Sequence, residues 1–246
     1  MTMRNIKLTI EYDGTNYHGW QTQPNAITIQ AAIQDALAKI TKTQTPIIGA
    51  GRTDTGVHAA GQVANFRTHS QMAPIAFQKA LNATLPRDIV IIDVEEVPLD
   101  FHARFSAVSR TYRYTILNRV YPSALLRNNT YFFPEPIDAQ GANTACQSLV
   151  GVRDFSSFQR SGSERINPIC EIYECRCWQE QDIVYFEVEA DAFLRGMVRA
   201  IVGTILKLHD KEDRVNQLHQ ILDAQNRSAA GASAPPHGLS LLRVKY

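Results

Sequence analysis

Eight consecutive residues, Gly51-Arg52-Thr53-Asp54-Thr55-Gly56-Val57-His58, hold an arginine, a carboxylate, two hydroxyls and an imidazole, with glycine at the first and sixth places. A carboxylate on such a loop can act as a nucleophile or as a general base, and a neighbouring guanidinium can bind phosphate or orient an anion. The flanks suit that role. Thr45 to Ala50 is small and apolar, and Gly61 to Arg67 alternates like a half-buried strand. A polar loop between two strands can aim side chains that a rigid scaffold holds in place. The plainer alternative is a turn in which Asp54 bonds its own backbone and Arg52 is solvated.

A second group of chemically capable residues lies between Phe101 and Phe133. This stretch contains Arg104, Arg110, Arg113, Arg119 and Arg127 but no Asp, Glu or Lys, and Tyr112, Tyr114, Tyr121 and Tyr131 lie among the arginines. Arginine interleaved with aromatics suits phosphate pairing and base stacking. A strand with a solvated arginine face would look the same. A third group begins at Leu194, where Met197, Val198, Ile201, Val202, Ile205 and Leu208 form an apolar helical stripe. Arg195 and Arg199 stand one turn apart beside it. An arginine rooted there can reach inward to a buried carboxylate and hold it charged in one orientation.

The elements that must position these groups can be read along the chain. Ile6 to Tyr12 alternates as a strand and ends at the turn signal Asp13-Gly14. Thr28 to Lys42 has helical periodicity with Thr28 as cap, and Pro74 to Thr84 is a helix with proline in its first turn. Strands flank the Asp54 loop, and Asp88 to Val97 is another. The order strand, helix, two strands, helix, strand therefore fills 1–107. In 108–246 the expected elements are a strand from Ser109, a helix from Asp138 to Val150, and a hairpin of Pro168–Trp178 with Ile183–Ala190. Helices at Leu194–His209 and Asp213–Ala224 follow, and a strand at Leu241–Tyr246 closes the chain. Two α+β halves with mixed or antiparallel sheets are the expected architecture.

Bulk composition excludes several classes. Of 246 residues, 44% are hydrophobic and 20% charged, so a sizeable core is available and disorder is not indicated. The net charge of +1 gives no global electrostatic hint. Cys146, Cys170, Cys175 and Cys177 lack the paired spacing of a zinc site and read as buried free thiols in a reducing compartment. The first residues show no apolar signal region and no run approaches a membrane span, so the expected location is cytoplasmic.

Together these blocks resemble the tRNA pseudouridine synthase A family. The loop from Gly51 to Ala59 resembles its catalytic loop. Tyr12-Asp13-Gly14 with Tyr17 to Gln23, Asp100 to Ala107 with Tyr112-Arg113-Tyr114, and Asp154 to Phe158 are similar to further family blocks. So are Phe193 to Arg199 with Ile201-Val202-Gly203, and Ala230 to Leu242. The blocks follow the family's order over nearly the whole chain. The resemblance implies the pseudouridine synthase fold, with two similar halves forming a central cleft, 1–107 carrying the catalytic loop and 108–246 completing the cleft. It implies Asp54 as the catalytic residue and Arg52, Tyr112, Arg199 and Leu239 as substrate-binding residues, with Arg199 as the salt-bridge partner of Asp54. It also implies no cofactor and no metal, a homodimer, and the anticodon stem-loop of tRNA at positions 38, 39 and 40 as substrate. Phosphate contacts would come from Arg104, Arg110 and Arg119. Three positions depart from the family pattern: Thr55 after the aspartate, His237 before Gly238-Leu239, and the absence of a common arginine near Cys170. Two other readings compete with this one, an inactive RNA-binding or chaperone module of the same fold and a glycosidase-like hydrolase. The hydrolase needs a second acid near Asp54, for which Asp13 and Asp93 are candidates.

Overall fold

A computed structural model describes residues 2–160, 162 and 167–246. Its contacts divide the chain into two compact units, Met1–Val108 with Leu241–Tyr246, and Ser109–Ser240.

The first unit is built on strands β1 (Arg4–Tyr12), β2 (Ile48–Gly49), β3 (His58–Thr68), β4 (Ile89–Val97) and, from Leu241 on, β10 (Leu239–Lys245). They hydrogen-bond in the order β4-β1-β3-β10, with β2 beside β3. Ile6, Leu8 and Ile10 are fully buried, as the alternation of β1 requires. Helices α1 (Ile29–Thr41) and α2 (Pro74–Thr84) supply the other layer of the core. Thr28 caps α1, with its side chain accepting from the Ala31 amide, and Pro74 opens α2, where a missing N–H costs nothing. Phe77 of α2 packs edge-on against Phe66 of β3 at 5.5 Å. The expected strand before the Asp54 loop shrinks to the pair Ile48–Gly49. The register of β1 against β3 shifts between Ile10 and Tyr12, and the shift re-aims Tyr12.

The second unit holds β5 (Ser109–Leu117), β6 (Tyr131–Phe132), β7 (Gly151–Asp154), β8 (Ile169–Glu180) and β9 (Ile183–Ala190). Their order is β5-β9-β8-β7, antiparallel throughout, and β6 lies parallel to β5. Helices α3 (Ala139–Gln147), α4 (Met197–Lys207) and α5 (Arg214–Asp223) complete it. Asp138 caps α3 through the Gly141 amide, and that bond holds its carboxyl below the usual range. The short strands β6 and β7 have too few residues for a readable period.

Helix α4 begins at Met197, where the apolar stripe begins, three residues later than the expected helix start at Leu194. Gly196 adopts φ 73°, a left-handed conformation that interrupts the turn, so Arg195 lies outside the helix that carries Arg199. Arg195 is exposed, and its backbone carbonyl accepts from the Arg160 amide. From Met197 to Leu206 nearly every α4 residue is buried, so the helix is core rather than amphipathic surface.

All four cysteines are free and buried, as expected. Cys146 shares a hydrogen bond with Cys175, which together with burial pushes its thiol up, and burial pushes Cys177 up to about 12. Thiols held protonated in this way are poor nucleophiles. Among the described residues no cluster of His, Cys, Asp and Glu could hold a metal ion, and no helix is long and apolar enough to cross a membrane.

Candidate active site

The loop that carries Asp54 is held mainly by the segment from Tyr12 to Trp20. The buried Tyr12 hydroxyl meets the Thr53 hydroxyl at 2.8 Å. The Trp20 amide donates to the Thr53 carbonyl at 3.1 Å, and the Gly56 amide donates to the Tyr17 carbonyl at 3.2 Å. Inside the loop the Val57 amide closes a turn on the Asp54 carbonyl, and Gln62 of β3 donates to the Gly51 carbonyl at 2.9 Å. Two glycines let the segments touch. A Cβ on Gly14 would lie 2.0 Å from the Val57 oxygen, and one on Gly19 2.4 Å from the Thr53 oxygen. The backbone around Asp54 is therefore fixed on both sides, while its side chain is only half-buried and Arg52 is exposed. A fixed backbone beneath a reachable carboxylate is the geometry of a preorganised site.

His58 ends this loop. Its Nδ1 lies 3.0 Å from the Gly14 amide and 3.1 Å from Asp13 Oδ1. Asp13 also accepts from the Thr15 amide and hydroxyl. Burial raises its pKa, but the Thr15 bonds and His58 outweigh that and hold the carboxyl below the usual range. A carboxylate engaged in this way buttresses a turn. Asp93 sits on β4 opposite Thr9 of β1, a ladder position. Tyr17, which no motif marks as structural, ties the segment to Asp88 through a 2.6 Å bond.

The other site residues belong to the second unit. Tyr112 lies in β5 opposite Val188, is 8% exposed, and packs edge-on against Phe193 at 5.0 Å. Arg199 is half-buried. Its Nε donates to the Ala234 carbonyl at 2.7 Å while the Ala234 amide donates to the Arg199 carbonyl. This exchange fastens α4 to the loop leading to Leu239, which is buried at the start of β10. The same loop is held from β5. The buried Tyr114 hydroxyl donates to the Pro235 carbonyl at 2.7 Å, and Gly238 lies so close to the Tyr114 ring that a Cβ would approach it to 2.7 Å. The His237 ring stands 6.4 Å from the Tyr131 ring, and these fastenings are present beside it.

The arginine strip divides by partner. Arg113 is paired with Glu187 through Nε and Nη2 and lies over the Trp178 and Tyr185 rings. Burial pushes Glu187 up, but hydrogen bonds from Arg113 and Arg176 more than reverse that. Arg113 is thus a structural residue of the β5-β9-β8 face. Arg110 is half-buried and donates to the Asp191 carbonyl at 2.9 Å. Arg119 donates to the Tyr121 carbonyl and meets Asp182 at 3.4 Å, an exposed pair. Arg104 is exposed, with its guanidinium 5.4 Å from the Phe105 ring. Of the segment from Ile166 to Cys170, Ile166 lies outside the described residues, and Cys170 is buried in β8 opposite Arg153.

A family model described as tRNA pseudouridine synthase matches residues 8–106 and 145–246. A tRNA pseudouridine synthase A of Acetivibrio thermocellus is 46% identical over 244 residues, 99% of this chain and 100% of that protein. A tRNA pseudouridine synthase A 2 of Clostridium perfringens is 46% identical over the same shares of both chains. One from Thermoanaerobacter sp. is 41% identical, again over 99% and 100%. Among solved structures, a chain of a Cbf5-Nop10-Gar1 complex aligns at a TM-score of 0.34 and 12% identity, covering 96% of this chain and 57% of that one.

Proposed function

Because the chain belongs to the tRNA pseudouridine synthase A family, we propose that it isomerises uridine to pseudouridine in the anticodon stem-loop of tRNA, with Asp54 as the catalytic carboxylate. The observation that carries this reading is the clamped loop: the backbone of Asp54 is fixed by Tyr12, Tyr17, Trp20 and Gln62 while its side chain stays accessible. The reaction breaks the N1–C1′ bond, turns the uracil, and forms a C5–C1′ bond. The proton leaves C5 and N1 regains one. No electrons are gained or lost, so no redox cofactor is called for. A carboxylate can serve by adding covalently to sugar or base, or by removing the C2′ proton to open a glycal route.

The remaining residues take roles suited to their chemistry. Tyr112 stacks on the uracil and takes part in removing the C5 proton. Arg52 holds the place of the flipped nucleotide or a phosphate, Arg199 holds the Asp54 carboxylate charged, and Leu239 closes the apolar side of the pocket. A uridine in a stem-loop must leave its stack to react, so the enzyme needs backbone contacts that position the RNA while the base is extruded. Arg104, Arg110 and Arg119 supply them, and two copies acting as a cytoplasmic homodimer concentrate these charges around one RNA.

The direct test is isotope release from tRNA labelled at C5 of uridine, using tRNAs with uridine at only one of positions 38, 39 and 40. Release from each of the three is expected; none from any of them would end this reading. The arginines are tested separately. Arg104→Ala, Arg110→Ala and Arg119→Ala should each weaken tRNA binding and flatten its log–log salt dependence by about one unit per lost phosphate contact. Arg119 is the clearest case, because its exposed pair with Asp182 contributes little and is easily exchanged for a phosphate. Unchanged affinity and slope in all three variants would reduce the strip to a solvated face.

A further inference from the structure

We infer that Phe105 is a base-stacking platform on which an unpaired nucleobase of the bound tRNA rests, with Arg104 beside it to engage the backbone. Phe105 is 76% exposed. A lone exposed phenyl means little, since folded surfaces carry many apolar groups. Here three further observations accompany it. The His102 ring lies against the phenyl at 4.4 Å with planes 31° apart, closer to stacking than to an edge contact. The Arg104 guanidinium stands 5.4 Å from the same ring. The loop presenting them is also fixed.

That rigidity can be traced bond by bond. Asn5 and Asn65, both buried, join through a 2.9 Å side-chain bond. Asn5 donates to the Pro98 and Phe101 carbonyls, and Asn65 Oδ1 accepts from the amide of the fully buried Ala103. The Tyr246 hydroxyl donates to the Ala103 carbonyl at 2.8 Å. Across the tip, the His102 amide donates to the Ser106 hydroxyl and the Ser106 amide to the His102 carbonyl. His102 Nδ1 accepts from the amides of Arg104 and Phe105, which places the proton of the neutral ring on Nε2. Phe105 is thus an exposed aromatic on an immobilised loop, and binding to it forfeits little conformational entropy.

The chemistry of this surface fits a nucleobase. An exposed phenyl can stack on any base, a guanidinium near an aromatic adds a cation–π component, and the same guanidinium can meet a phosphate next to the stacked base. The sequence from Phe101 to Phe133, which includes this loop, contains arginines but no acid. The inference rests on the tRNA reading above and adds to it a specific contact with an unpaired base, outside the Asp54 loop.

Titrating wild type, Phe105→Ala and Phe105→Trp with tRNA at several salt concentrations tests it. Phe105→Ala should bind about 5- to 100-fold more weakly, with the salt slope unchanged because no phosphate contact is lost. Phe105→Trp should bind at least as tightly as wild type. A blunt RNA duplex lacking unpaired bases should bind all three proteins alike. Because the side chain is exposed, the melting temperatures should coincide, so weaker binding by Phe105→Ala cannot be put down to unfolding. If wild type binds and modifies tRNA while Phe105→Ala binds it equally well, the platform is overturned and the function stands. The platform is overturned in the same way if Phe105→Ala weakens binding of the blunt duplex as much as that of tRNA. If wild type neither binds tRNA nor releases isotope, both readings fall together.

Discussion

Replacing Asp54 by Asn or Ala is expected to leave a folded protein that binds tRNA but makes no detectable pseudouridine. The fold should survive because the loop is held by groups other than this carboxylate. The Thr53 carbonyl and hydroxyl, the Gly51 carbonyl and the Gly56 amide carry the contacts to Trp20, Tyr12, Gln62 and Tyr17. Asp54 contributes its backbone carbonyl to the Val57 turn, and both variants keep it. Binding should survive because removing a negative charge beside an RNA cannot weaken phosphate contacts. The size of the loss is informative in itself. Deleting a positioned general base costs about 10²- to 10⁴-fold, so a residual rate in that range would favour C2′ deprotonation. Loss beyond it would favour covalent addition, for which no neighbouring group substitutes. Single-turnover isotope release with the variant in excess over tRNA gives the rate, and a binding titration gives the affinity. Near wild-type turnover in either variant would remove Asp54 from the mechanism.

The parts of this molecule that can be read from sequence are those set by local chemistry. Thr28 announces α1 because a hydroxyl there satisfies a free amide of the first turn, and it does so in the fold. The alternation of Ile6, Leu8 and Ile10 fixes which face of β1 is buried. Pro74 marks the start of α2 for the same kind of local reason. Asp54 stands out because an acid, an arginine and hydroxyls between glycines suit a strand-flanked loop. What stays hidden depends on partners distant in the chain. Tyr12 reads as an ordinary strand residue, yet its hydroxyl supports Thr53. The C-terminal strand ends among the contacts of the first unit, with Tyr246 tied to Ala103, and no local signal reports that. Arg113 looks identical to its neighbours in the strip until β9 brings Glu187 against it. Arg195 and Arg199 read as sharing a helix face because the apolar period runs smoothly through them; the period cannot register that Gly196 takes a left-handed conformation.

Gly19→Ala is expected to lower turnover by about 10²-fold, although residue 19 carries no functional group. Its φ of +86° is one that L side chains adopt at a cost of roughly 1–2 kcal/mol. A Cβ there would also lie 2.4 Å from the Thr53 carbonyl oxygen and 3.1 Å from the Asp54 carbonyl carbon. The atoms in the way are backbone, so they cannot rotate aside as a flexible side chain would; the chain from Thr53 to Thr55 must move. A displacement near 1 Å at a reacting group costs on the order of 10²-fold. Gly151→Ala separates the two effects. Gly151 has φ +105°, so alanine is strained there too, but nothing lies within 4 Å of the added Cβ. Both variants should melt a few degrees below wild type, since about 1 kcal/mol moves a chain of this size by roughly 2–4 °C. Only Gly19→Ala should lose turnover, with tRNA affinity little changed because Arg104, Arg110 and Arg119, the proposed phosphate contacts, are untouched. Equal activity in the two variants, measured as isotope release at a temperature well below both melting points, would mean that the close packing of Gly19 against the Asp54 loop does not set the position of the carboxylate.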